Sequence, residues 1–103
     1  MIKSTEKQTQ NAILDYLALR KDLMYWRQNT GAIKTERGGF YRFTSMNGMP
    51  DIFVLSCAQI YALEVKDVKG KQNDNQIAFQ KLFEAHGGIY KVVRSLDDIK
   101  SII

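Results

Sequence analysis

Two short apolar runs dominate the middle of the chain. One closes the stretch Gly48-Met49-Pro50-Asp51-Ile52-Phe53-Val54-Leu55, and the other forms Ala62-Leu63-Glu64-Val65-Lys66. Runs of this length, rich in β-branched and aromatic residues, read as strands. Only a few residues separate them, so an antiparallel hairpin is expected. Before the hairpin, Glu6, Gln10, Ile13 and Leu17 recur at helical spacing and predict a helix over residues 4–21 that Ser4 or Thr5 can cap. Met24-Tyr25-Trp26-Arg27 reads as a short strand, and Phe40-Tyr41-Arg42-Phe43 as a strand or half of a hairpin. The region from 28 to 47 is otherwise irregular and punctuated by Asn and Gly. After the hairpin, Asn73 and Gln76 have capping-box spacing for a helix whose Ala78, Phe79, Leu82 and Phe83 should pack inward, with Gly87-Gly88 as its stop. Ile89 to Arg94 reads as a strand, and Ser95 with Asp98 opens a short final helix.

The hairpin register has a chemical consequence. With the turn centred on Cys57-Ala58, Leu55 faces Ile60, Phe53 faces Ala62 and Asp51 faces Glu64. Opposed residues share a face, about 5 Å apart. Lys66, two residues beyond Glu64, points the same way. Ile52, Val54, Tyr61, Leu63 and Val65 line the other face, so both faces are largely apolar and a helix is expected over each. The turn itself has no Asn-Gly or Gly, and a one-residue slip would send Asp51 and Glu64 to opposite faces.

Two carboxylates held together repel unless a cation lies between them. Hard oxygen ligands with no His or Cys cluster nearby favour Mg²⁺ or Mn²⁺ over Zn²⁺. Such an ion beside a lysine suits phosphodiester hydrolysis, because it polarises the phosphoryl oxygen and lowers the pKa of water while the amine orients the nucleophile.

Composition agrees with one small folded domain over residues 1–103. The chain is 45% hydrophobic, which argues against a disordered tail, and its net charge of +4 permits an anionic partner. Its lone cysteine, Cys57, excludes an internal disulfide and suits a cytoplasmic setting. No apolar run reaches the length of a membrane span, and no signal-peptide core opens the chain. Arg27, Lys34, Arg37 and Arg42 interleave with Trp26, Phe40, Tyr41 and Phe43, and Lys69 and Lys71 follow the hairpin. These cations either meet DNA phosphates or form a solvated rim; the aromatics either stack on bases or fill the core. Glu6 either merely favours the helix start or shares the inward stripe of Ile13 and Leu17, and Gln76 has the spacing to close its capping box. His86, at a helix end, favours the dipole.

Pro50-Asp51, a spacer, then Glu64-Val65-Lys66 resembles the PD-(D/E)xK nuclease signature. The fuller pattern is similar to the VRR-NUC branch: Gly48-Met49-Pro50-Asp51, Glu64-Val65-Lys66, Gln76 ahead of an amphipathic helix ending in Gly87-Gly88, and Glu6 with Gln10 on the first helix. The resemblance covers nearly the whole chain. It implies an α/β fold with a restriction-endonuclease-like mixed central sheet flanked by helices. It also implies a metal-dependent endonuclease in which Asp51, Glu64 and the Val65 carbonyl hold Mg²⁺ or Mn²⁺. Lys66 would handle the water, with Gln76 and Glu6 assisting. Small stand-alone members act on four-way junctions, which implies a homodimer resolving Holliday junctions or other branched DNA. A restriction- or nicking-type enzyme on ordinary duplex, and a non-catalytic basic nucleic-acid-binding module, are the alternatives.

Overall fold

A computed structural model describes residues 5–28, 32–34, 40–42 and 48–103, with side chains described for 5–28 and 48–103. The chain runs α1 (Glu6–Ala18), β1 (Met24–Arg27), β2 (Ala32–Lys34), β3 (Phe40–Arg42), β4 (Ile52–Ser56), β5 (Gln59–Val65), α2 (Asp74–Ala85), β6 (Ile89–Val93) and α3 (Leu96–Lys100). It is a mixed α/β fold. A four-stranded sheet in the order β1-β4-β5-β6 carries helices on both faces, and β2 pairs with β3 in a separate two-stranded ribbon. The β1-β4 and β4-β5 pairs are antiparallel. The β5-β6 pair is parallel, since α2 carries the chain back across the sheet.

Alternation along β4 and β5 sorts the core into two layers. Ile52, Val54, Leu63 and Val65 meet Ile13 and Leu17 of α1, Val93 of β6 and Ile99 of α3. On the opposite face Phe53, Ala62 and Tyr90 meet Phe79 of α2. The expected helix on each face of the central strands is therefore present. Trp26 extends the second layer by stacking on Phe53 at 5.5 Å between ring centroids.

The hairpin register is the expected one: Leu55 faces Ile60 and Phe53 faces Ala62. The turn reaches it without glycine, because Cys57 (φ 50°) and Ala58 (φ 65°) both take left-handed backbone. That pattern matches the twist of a two-residue hairpin, at a cost of about 1–2 kcal/mol for each residue bearing a Cβ.

Several local expectations are corrected. The first helix is shorter than residues 4–21: Thr5 caps it through a box with Gln8, and it ends with Leu19 as C-cap. Past that end, Arg20 turns to bind Asp22, Tyr16 and the Ile103 carbonyl. Its buried stripe is Thr9, Ile13 and Leu17, which leaves Gln10 half-buried and Glu6 exposed. On α2 only Phe79 is buried. Ala78 is exposed, and Leu82 is 51% exposed beside an open groove it shares with Phe79, Phe83 and His86. One helix is too narrow to cover four strands, so residues on its flank stay in water. β2 is a strand where the sequence pattern predicted irregular chain, and Phe43 lies outside the described residues. Among the described residues no helix is long and apolar enough to cross a membrane.

Candidate active site

The α2 face of the hairpin ends in a polar cluster. Asp51 stands one residue before β4, and Glu64 and Lys66 lie at and just past the end of β5. The Asp51 carboxylate accepts a hydrogen bond from the Val65 N–H at 2.9 Å, which ties the two chain segments together ahead of the ladder. Glu64 is 3% exposed. Its Oε1 accepts from Gln76 Nε2 at 2.8 Å and lies 3.6 Å from Lys66 Nζ. Its Oε2 is buried with no hydrogen-bond partner among the described residues.

Gln76 closes the capping box expected of it, and its free end reaches Glu64 rather than Lys66. Its side-chain oxygen accepts from the Asn73 N–H at 2.9 Å and closes the capping box of α2, while its nitrogen reaches Glu64. An amide can do both because it carries an acceptor and donors on one carbon. Gly48 lies against the start of α2. Its φ is +75°, and a Cβ built there would stand 2.2 Å from the Asn75 carbonyl oxygen and 2.7 Å from the Gln76 nitrogen. Only glycine lets the segment leading to Asp51 lie against the first turn of α2.

The electrostatics are those of a site short of positive charge. Burial, then the Asp51 charge, pushes the Glu64 carboxyl up to about 8, against the pull of Lys66. Burial also raises Asp51, while the Val65 N–H and the charges of Lys66 and Arg27 oppose the rise. The charge of Glu6, exposed on α1, is the least of the influences that raise Glu64. A buried carboxylate oxygen without a donor, beside a second raised carboxyl, is chemistry suited to a hard divalent cation. Among the described residues no three acidic, His or Cys side chains converge, so such an ion would take its remaining ligands from main-chain oxygen or solvent.

The proposed DNA-contacting cations are more scattered. Arg27 is exposed at the end of β1 and close enough to favour ionised Asp51. Lys69 and Lys71 are exposed on the loop leaving β5. Lys34 and Arg42 belong to β2 and β3, and Arg37 lies outside the described residues. His86 is the C-cap of α2, at the other end of that helix from Gln76, with Nδ1 2.9 Å from the Leu82 carbonyl.

Two residues near the site escaped the sequence reading. Tyr90 on β6 is buried on the α2 face, and its phenol is pushed up to about 12 by burial, with Glu64 and Asp51 adding to the rise. Alternation along β6, once its parallel partner is known, is the signal that puts it there. Arg94, just past β6, binds the loop that follows Lys66. No protein-family model matches the chain, and no curated protein matches it.

Proposed function

We propose that the protein is a divalent-metal-dependent endodeoxyribonuclease that hydrolyses phosphodiester bonds in branched DNA, with a restriction-endonuclease-like core of the VRR-NUC kind. The observation that carries this is the convergence of Asp51, Glu64, Lys66 and Gln76 at one end of the central hairpin, with a Glu64 oxygen buried and unpartnered. Asp51, Glu64 and the Val65 carbonyl would hold Mg²⁺ or Mn²⁺. Bound there, the ion would supply charge stabilisation to the phosphoryl group.

The chain's own groups do the rest. The Val65 N–H fixes the direction of the Asp51 carboxylate. Gln76 fixes Glu64 by holding Oε1, which leaves the buried Oε2 as the oxygen that would face the ion. Lys66, anchored on the same oxygen, orients the attacking water and holds charge beside it. Arg27, Lys34, Arg37, Arg42, Lys69 and Lys71 would neutralise substrate phosphates.

Resolving a four-way junction takes two symmetric cuts, and the described residues of one chain offer one such cluster. A two-fold homodimer supplies the second. The test compares a labelled four-way junction with a linear duplex of the same sequence, each with Mg²⁺, Mn²⁺ or chelator. Paired metal-dependent nicks in the junction, with the duplex spared, are expected. Equal cutting of both would favour the restriction- or nicking-type enzyme, and salt-sensitive binding without cutting would favour a binding module.

A further inference from the structure

Lys66 is held from three sides. Its backbone N–H donates to the Val93 carbonyl at 3.0 Å, its Nζ lies 3.6 Å from Glu64, and its aliphatic stem runs along the backbone of Gly70. A Cβ built on Gly70 would stand 3.3 Å from Lys66 Cβ and 3.4 Å from its Cδ, so the loop from 67 to 70 is the wall against which the stem lies. Two devices fix that wall. The Asp67 carboxylate accepts from the Lys69 N–H at 3.0 Å and from the Gly70 N–H at 2.5 Å. From outside, Arg94 Nη1 donates to the Asp67 carbonyl at 2.6 Å and the Gly70 carbonyl at 2.7 Å. Arg94 is itself anchored, because its backbone N–H donates to Asp98 of α3 at 2.9 Å.

We infer that Arg94 is a positioning residue for Lys66: by bridging the two loop carbonyls it holds Gly70 against the lysine stem and so sets where the amine sits. This rests on the nuclease proposal, and extends it to a guanidinium that the sequence reading placed only at the end of a strand. With both carbonyls satisfied by one nitrogen, Arg94 acts on its own chain. Its removal frees the stem but not the Lys66 backbone, which the Val93 carbonyl still holds. Turnover should suffer while substrate affinity does not.

The experiment measures kcat and KM for junction cleavage by the full chain, by Arg94→Ala, by Gly70→Ala and by the double variant, with hydrogen exchange at the Lys69 and Gly70 amides as a readout independent of activity. Arg94→Ala should lower kcat about ten-fold with KM within two-fold, since small misplacements of a reacting group cost heavily. Exchange at both amides should quicken. Gly70→Ala, whose Cβ would stand 3.1 Å from the Asp67 carboxylate and press on the same stem, should also lower kcat, and the double variant should fall no further than the worse single, because both act through one wall. A kcat equal to that of the parent in Arg94→Ala, a KM that rises as kcat falls, or losses that multiply would overturn the inference while leaving the nuclease proposal standing. A parent chain that cuts no DNA with either metal would instead sink that proposal, and this inference with it.

Discussion

Gln76 Nε2 and Glu64 Oε1 are 2.8 Å apart, so the first turn of α2 is fastened to the carboxylate at the end of β5. The same Gln76 closes the helix cap. Helix initiation and carboxylate orientation therefore share one side chain. Gln76→Glu separates them: glutamate keeps the capping box but replaces the donor with a second carboxylate. Circular dichroism should show α2 intact, and DNA cleavage should fall at least ten-fold, as for loss of a charge-assisted hydrogen bond of about 1.5–3 kcal/mol. Parent-level cleavage would show that the Gln76–Glu64 bond has no part in the reaction.

Glu64 predicts how stability varies with pH. Its carboxyl lies near 8 in the folded chain against an ordinary 4.5. The folded state thus binds the proton more tightly than the unfolded state. Without metal, this group makes stability fall as pH rises from about 4.5 to about 8, by up to about 1.4 kcal/mol per pH unit, and level off above. Glu64→Gln should flatten that slope and raise the melting temperature at pH 9. A parent chain equally stable at pH 5.5 and pH 9 would contradict the buried, raised carboxyl.

Gly48→Ala should be costly. The new methyl would meet the backbone of Asn75 and Gln76 from a left-handed residue. A loss of about 3 kcal/mol is expected, read from denaturant unfolding, because overpacking and backbone strain add.

The hairpin turn gives a prediction of opposite sign. Cys57→Asn with Ala58→Gly supplies the residues that positive φ at both positions favours. Thermal unfolding should show a gain of about 1 kcal/mol, with cleavage unchanged, since the turn lies at the end of the hairpin away from Asp51 and Glu64.

What the sequence made legible was local or pairwise. Alternation gave the hairpin faces, and the short spacing between β4 and β5 gave the register, so Asp51, Glu64 and Lys66 could be brought together before any coordinates. The capping box at Asn73 and the side-chain cap at Ser95 marked helix starts because they are short-range devices. Leu82 and Ala78 were misplaced because helical spacing reports a stripe but not how much sheet the helix must cover. Glu6 was expected to face inward, yet it lies in the exposed first turn, where Thr9 takes the buried place. Gly48 against α2 and Arg94 against the loop after Lys66 are contacts between residues distant in sequence, and no local pattern announces them.

The central claim is that the Asp51–Glu64 pair works with a divalent ion to cut DNA. The most direct measurement is the initial rate of cleavage of a labelled four-way junction by the parent chain and by Asp51→Asn, with Mg²⁺ and with chelator. Asparagine can still accept from the Val65 N–H, so the variant should unfold at a temperature close to the parent's. Cleavage is expected from the parent only with metal, and none from Asp51→Asn; cleavage at the parent rate by the variant, or by the parent in chelator, would refute a metal-assisted role for the pair.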